Sequence, residues 1–341
     1  MSATLTGIVI ALAAVAVVAW AIENRRRRRR SVRPGFQSDI ELPFEERFEL
    51  YHNALSLCSM KSRLCLAELQ IPYKSHHIDL IETGFYENIR APFLRVNPAG
   101  TVPVLVHEGH PIYESHEQIR YAARHAPETS SSLIPDDPGL RAEMEEWIDR
   151  SSLTQDPIHN GDLSAGNAAP GQTLPLFATM IEEIPYWRIF EGLLFHFDKF
   201  RPLLFTMLKV RGIAKIGRIR PLAAAIARSR KEMSTHLDAL EEKLEKTGGP
   251  WLLGDEYTLA DVSWLVIFER LRQADAVAVF MGENLRPATA AYWTRLQARP
   301  AYRTAILDQS HPLIEYGRKR IVDAKAASED VRLCLEGKLE R

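Results

Sequence analysis

Two hydroxyls and a thiol stand within four residues at Ser56-Leu57-Cys58-Ser59, after a short apolar run (Phe48, Leu50) and before a helical pattern expected over about Ser59–Leu69. Backbone N–H groups and the positive end of the helix dipole gather at such a position, so an anion there is stabilised. A thiol there is expected to be acidified, and a hydroxyl can donate to a bound thiolate. The chemistry this suggests is the handling of sulfur, with Ser56 and Cys58 as the groups that would carry it. A purely structural reading remains open, in which Ser56 caps the helix and Cys58 is a small buried residue.

The elements around that loop alternate. Strand patterns at Tyr73–Asp79, Val102–Val106 and Pro111–Tyr113 flank an irregular helix over Phe85–Val96 and precede a helix over Ser115–His125. Short strands with helices between them argue an α/β sheet. Pro103 opens a strand, where it cannot donate to a ladder. A trans edge proline and a cis proline that turns the Val102 backbone outward, able to pair with an extended peptide, both explain it. Glu114-Ser115 opens the next helix, with Ser115 as the expected cap. The free N–H groups there would bind a carboxylate, and Glu114 would take an ammonium. His76, His77 and Asp79 lie on one short strand and cannot all face one metal.

The N-terminus follows different rules. Met1–Ile22 carries no charged side chain, and six consecutive arginines, Arg25–Arg30, follow it. That length suits one membrane span. A cleaved export signal would carry its basic residues before the apolar stretch rather than after it. The positive-inside rule places the remainder of the chain in the cytoplasm. Three cysteines, Cys58, Cys65 and Cys334, form no CxxC pair and no zinc spacing, and fit a reducing compartment. A net charge of −1 gives no case for nucleic acid.

The expected organisation is a transmembrane helix over 1–24, a basic linker over 25–46, an α/β domain over 47–127, a helical domain over 136–312 and a charged, loosely held tail over 313–341. Within the helical part, about 155–230 is an insertion that begins with a loop over Gln155–Pro175 and continues with an aromatic-rich stretch to Met207. The basic stretch Lys209–Lys231 suits either an anionic lipid surface or a solvated helix face. Met233, Leu237, Leu240 and Leu244 recur at helical spacing. Thr258-Leu259-Ala260-Asp261 reads as a capping box ahead of a buried helix.

Phe48–Leu307 resembles the cytosolic-type glutathione transferases. The residues that carry the resemblance are Asn97-Pro98-Ala99-Gly100-Thr101-Val102-Pro103-Val104-Leu105, Glu114-Ser115, Leu253-Gly254-Asp255 before Thr258–Asp261, and Arg299-Pro300-Ala301-Tyr302. The resemblance implies a thioredoxin-like N-terminal domain, an all-α C-terminal domain, bound glutathione and a cis peptide at Pro103. By the same resemblance, Val102 would pair with the peptide, Glu114 and Ser115 would hold its γ-glutamyl group, and the family's dimers suggest a homodimer. Ser56–Arg63 resembles the zeta class, and resembles still more the tetrachlorohydroquinone reductive dehalogenases, which implies Ser56 stabilising the glutathione thiolate and Cys58 resolving a mixed thioether. Leu57 stands where the zeta-class isomerases carry a second serine. The insertion resembles those of the lignin β-etherases and of the membrane-anchored ganglioside-induced differentiation-associated proteins.

Two functions follow. In one, glutathione thiolate attacks an electrophilic carbon of an aromatic or apolar substrate, for conjugation, reductive dehalogenation or ether cleavage. In the other, a catalytically weak membrane-anchored protein binds glutathione or organises the membrane.

Overall fold

Five strands form the sheet of the computed structural model, which describes residues 3–153, 163–282 and 284–337. In chain order they are β1 (Gly35–Phe36), β2 (Phe48–His52), β3 (Lys74–His77), β4 (Val104–His107) and β5 (His110–Tyr113), arranged β1-β5-β4-β2-β3. β2 and β3 run parallel and the other pairs antiparallel. The parallel pair needs a crossover, and α2 (Leu57–Glu68) supplies it. α3 (Ala91–Val96) leads into β4, and α4 (Ser115–Arg124) follows β5. This is the thioredoxin-like arrangement expected from the sequence. The sequence predicts a linker over 25–46, yet Gly35 and Phe36 pair with Tyr113 and Ile112. The linker therefore covers an edge of the sheet that would otherwise be open.

The second domain is helical: α5 (Pro138–Ser151), α6 (Ala165–Met180), α7 (Tyr186–Phe195), α8 (Phe200–Arg211), α9 (Arg220–Thr247), α10 (Leu259–Gln273), α11 (Val277–Met281), α12 (Pro287–Gln297), α13 (Pro300–Tyr302), α14 (Pro312–Ala327) and α15 (Glu329–Glu336). α10 is its axis, with Leu259, Val262, Leu265, Val266 and Phe268 fully buried. The capping box forms there. Asp261 accepts from the Thr258 N–H at 2.7 Å, the Leu252 N–H at 3.0 Å and the Tyr292 hydroxyl at 2.6 Å.

Two expectations are overturned. The loop read over Gln155–Pro175 is helical from Ala165 onward, with Pro170 and Pro175 inside the helix; residues 154–162 lie outside the described set. Its small residues are there for close approach. A Cβ on Gly166 would stand 2.3 Å from the Ser152 backbone, and one on Gly171 would stand 1.8 Å from the Ser229 hydroxyl oxygen. The tail is also not loose, because α14 and α15 bury Ile314, Ile321, Val331 and Leu335 in a second core shared with α6, α8 and α9. The Thr179 hydroxyl donates to the Gly317 carbonyl at 3.1 Å, where the absence of a side chain lets the helices meet.

Ahead of the sheet, α1 (Ala3–Arg26) is long and apolar enough over Leu5–Arg26 to cross a membrane, and none of that stretch is buried in the protein. Its C-terminal end rests on α7. Trp20 donates to the Leu194 carbonyl at 3.4 Å, Arg27 pairs with Glu191 at 2.9 Å, and its guanidinium lies 4.3 Å from the Phe195 ring centre.

Asp261 is buried and its contacts have no water to replace them, so Asp261→Ala is expected to lower unfolding stability by about 3 kcal/mol. Thr258→Ala, which loses the cap and one hydrogen bond to Asp261 but leaves the carboxylate its other donors, should cost about 1 kcal/mol. Denaturant unfolding of the two variants measures the difference, and equal losses would contradict the role given to the carboxylate.

Candidate active site

The turn between β2 and α2 is built by Asn53. Its side-chain oxygen accepts from the Leu55 N–H at 2.9 Å and the Ser56 N–H at 3.3 Å. Its amide donates to the Ile78 carbonyl at 2.9 Å and the Thr83 hydroxyl at 3.0 Å. Ser56 then caps α2, its hydroxyl oxygen accepting from the Ser59 N–H at 3.2 Å. The cap uses an acceptor site of that oxygen and leaves its proton available to a thiolate. The helix begins at Leu57 rather than Ser59, so Cys58 lies in the first turn.

The loop from α3 to β4 faces it. Val102–Pro103 is cis. Asn97 closes the turn by donating to the Thr101 carbonyl at 2.7 Å and accepting from the Ala99 N–H at 2.9 Å. Gln118 of α4 joins three pieces: its amide donates to the carbonyls of Pro103 at 3.0 Å and Ile112 at 2.9 Å, and its oxygen accepts from the Ser62 hydroxyl at 2.7 Å. Neither Asn53 nor Gln118 carries a signal in a single sequence, because a polar residue fixing a loop is recognisable only once the loop exists. Glu114 has φ of 67° and occupies the cap position, which makes Ser115 the first helical residue rather than the cap expected from the sequence.

Two cavities meet at this place. A cleft of about 350 Å³ is bounded by Ser56, Cys58, Tyr86, Val102, Phe177 and Arg270 among others. A wider basin of about 690 Å³ is bounded by Arg29, Cys58, Val102, Pro103, Glu114 and Ser115. Cys58, Thr101, Val102 and Leu153 border both. The six residues singled out from the sequence thus surround one pair of cavities: Ser56 on the cleft, Pro103, Glu114 and Ser115 on the basin, and Cys58 and Val102 between them.

The electrostatics of Cys58 depart from the sequence expectation. Burial pushes its thiol above the ordinary range; the Lys61 ammonium and a hydrogen bond with Ser115 act in the other direction without overcoming it. Lys61 is itself buried and its pKa is lowered to about 8. Cys58 is only partly exposed at the junction of the cavities, and the protein packed around it disfavours the thiolate more than the helix start favours it. The same burial lowers His52 to about 3, so it is neutral, its Nδ1 facing Arg63 Nη1 at 3.2 Å and its Nε2 facing the Ser75 hydroxyl at 2.7 Å.

Residues 55–125 match the family model of the glutathione S-transferase N-terminal domain, and residues 223–303 match that of the C-terminal domain. The chain belongs to the glutathione S-transferase family. It is 28% identical over 262 residues to glutathione S-transferase TCHQD of Arabidopsis thaliana, covering 76% of this chain and 89% of that protein. It is 25% identical over 259 residues to the tetrachloro-p-hydroquinone reductive dehalogenase of Sphingobium chlorophenolicum, covering 75% of this chain and 94% of that one. Among solved structures, the β-etherase LigF from Sphingobium sp. strain SYK-6 superposes with a TM-score of 0.61 at 20% identity, over 77% of this chain and all of that one. This transferase is therefore a glutathione-dependent enzyme. The family-model matches leave out α1, the arginine run and helices α6–α8.

Because burial raises the Cys58 thiol, its alkylation by iodoacetamide should reach half its maximal rate at a higher pH than that of a cysteine in an unstructured peptide. Mass spectrometry of the Cys58 peptide across a pH series measures this. A midpoint at or below the peptide value would show that Lys61 and the helix start outweigh burial.

Proposed function

We propose that glutathione lies in the basin and an apolar, electrophilic substrate, aromatic in the best-fitting case, lies in the cleft. The observation that carries this reading is the meeting of the two cavities at Cys58 and Val102, with Ser56 on the cleft side of that junction. Glu114 and Ser115 would hold the γ-glutamyl group, the Val102 backbone would pair with the peptide, and the thiol would then point to Ser56. The Ser56 hydroxyl donates to the thiolate and lowers its pKa, which raises the fraction of the reactive form. The thiolate attacks carbon, the C–S bond forms, and the leaving group departs with its bonding pair. Apolar walls from Leu55, Ala169, Pro170 and Phe177 suit an aromatic body, and the Arg270 guanidinium suits its polar end.

Cys58 extends this to reductive dehalogenation. As a thiolate it attacks the sulfur of the mixed thioether, and the C–S pair goes to the substrate carbon, which takes a proton. The disulfide left between Cys58 and glutathione is reduced by a second glutathione, so two glutathiones supply the two electrons. The relative named as a tetrachloro-p-hydroquinone reductive dehalogenase supports an aromatic electrophile as the substrate class.

The enzyme is anchored by α1, with its catalytic domains on the cytoplasmic side. The uncharged span followed by Arg25–Arg30 supports this. So does the face of α7 and α8 beside the end of α1, where Tyr186, Trp187, Phe190, Phe200 and Leu203 are exposed. Arg188 stacks 3.8 Å from the Trp187 ring centre, and Lys209 lies 4.8 Å from that of Tyr186. Aromatic rings interspersed with cations suit the lipid headgroup layer, and an apolar substrate dissolved in that bilayer would be concentrated near the cleft.

Ser56→Ala should lower kcat about tenfold to a hundredfold, the worth of one hydrogen bond to a charged sulfur, and should shift the rising limb of the pH–rate profile to higher pH. A lost helix cap alone would not move that limb. Turnover of a chloro-aromatic and a pH profile both unchanged in the variant would remove Ser56 from the mechanism. The full-length protein should remain in the membrane fraction after an alkaline carbonate wash, and its release would remove the anchor.

A further inference from the structure

The arginine run does more than follow the span, because its last residues return to the catalytic domain. The Arg30 N–H donates to the Pro98 carbonyl at 2.9 Å, which fixes the chain against the loop that carries Val102. Arg29 packs its stem over Gly100, its Cδ 3.5 Å from where a Cβ would stand. Its guanidinium lies 3.5 Å from the centre of the Phe197 ring. Arg29, Arg30, Ser31, Val32 and Phe197 form one side of the basin, and the loop from Ala99 to Pro103 with Glu114 and Ser115 forms the other.

The two ends of the basin differ in chemistry. The β4–β5 register pairs Leu105 with Ile112 and Val106 with Pro111, so its continuation puts Glu114 across from Pro103. Gly100 is three residues further back along the same loop, and Arg29 sits over it. The basin thus has a carboxylate and a helix N-terminus at one end and a guanidinium at the other. Among the described residues, no acidic side chain forms an ion pair with Arg29, whereas Arg27 is paired with both Glu23 and Glu191. Burial also lowers the Arg29 pKa, as expected for a cation partly withdrawn from water without an anion beside it.

We infer that Arg29 binds the glycyl carboxylate of glutathione, so that the segment joining the span to the enzyme is a wall of the active site. The inference rests on the basin being the glutathione seat. An extended tripeptide whose γ-glutamyl end lies at Glu114 and Ser115 and whose middle pairs with Val102 carries its glycyl end toward Gly100, where an unneutralised guanidinium is held in place by an aromatic ring. Arginine suits a carboxylate through its planar fork of donors. Because the family models match only from residue 55 onward, this contact belongs to the chain's own N-terminal extension.

The test uses the full-length protein in nanodiscs of neutral lipid, with calorimetric binding of glutathione and of its glycyl monoethyl ester. Arg29→Ala should weaken glutathione about tenfold, the scale of a lost charge-assisted hydrogen bond at a partly exposed site. The ester should bind the unsubstituted protein about as weakly as glutathione binds the variant, and the substitution should then cost the ester nothing further. Equal losses for both ligands would mean that Arg29 acts only on the fold of the loop, and no loss for glutathione would mean no contact; either result overturns the inference. The ester measurement on the unsubstituted protein stands even if the variant folds poorly, since full-strength binding of the ester would by itself exclude a carboxylate contact. Ser115→Ala separates the two levels. Weaker binding there with Arg29→Ala unaffected defeats this inference alone, whereas unchanged binding in Ser115→Ala moves glutathione out of the basin and defeats both.

Discussion

The site depends on one constraint: a chain that leaves a buried strand and enters a buried helix within five residues must pair every polar backbone group along the way. Asn53 meets it. A single side chain accepts from two N–H groups of the turn and donates to the loop after β3, while the Asn53 N–H finds the Ser59 hydroxyl at 3.2 Å. Arg63 donates to the carbonyls of Asn53 at 2.9 Å and Ala54 at 3.5 Å, Arg270 of α10 donates to that of Leu55, and the Arg63 Nε donates to Ala305 at 2.7 Å. The contacts with Arg270 and Ala305 tie the turn to the helical domain. Unpaired groups in such a turn would each cost on the order of 1–3 kcal/mol, so the positions of Ser56 and Cys58 follow from satisfying their neighbours.

The helical domain uses the same economy on a larger scale. α10 is surrounded on all sides and can carry no exposed polar end, so Asp261 must cap it from within. Around it the helices meet where side chains are smallest: Gly166 against Ser152, Gly171 against Ser229, Gly317 against Leu176 and Met180. These approaches set the position of α6, and α6 forms the wall of the cleft opposite Ser56. The shape of the substrate cavity is thereby coupled to the packing of the C-terminal helices α14 and α15, which share a core with α6.

What could be read from the sequence follows from how local each signal is. The Asn97–Leu105 motif, the capping box and the long apolar helix α1 are local patterns whose physics is complete within their own segments, and each was legible. α6 was not, because Gly, Ala and Pro in a run are the composition of a loop unless a neighbouring helix requires their small size. α14 was hidden by charge: Ile314 and Ile321 are seven residues apart amid Glu, Arg and Lys, too sparse a pattern to stand out. The six residues named from the helix-start loop and the family motif border the two cavities, but Gln118 and Arg29 were not found, since each acquires its place only from a partner far along the chain. The predicted acidity of Cys58 failed for a related reason. A helix start favours a thiolate only where solvent or a strong counter-charge helps, and burial is not visible in one sequence.

That reversal bears on the order of events in the site. In the proposed mechanism two thiols compete to be the first nucleophile: Cys58, raised by desolvation, and the glutathione thiol, with the Ser56 hydroxyl as its donor. Thiolate fraction decides which attacks first, and it favours glutathione. On that proposal Cys58 would stay protonated and out of reaction with the electrophile until a thioether sulfur were presented to it at the junction of the cavities. Lys61, whose pKa is lowered to about 8, is the cation whose field would favour the Cys58 thiolate against its burial at that stage. A more acidic Cys58 would be alkylated by the substrate itself and lost. The desolvation that looks unfavourable for a reactive cysteine would, in a site that holds one thiol in reserve while another reacts as proposed, be what separates the two roles.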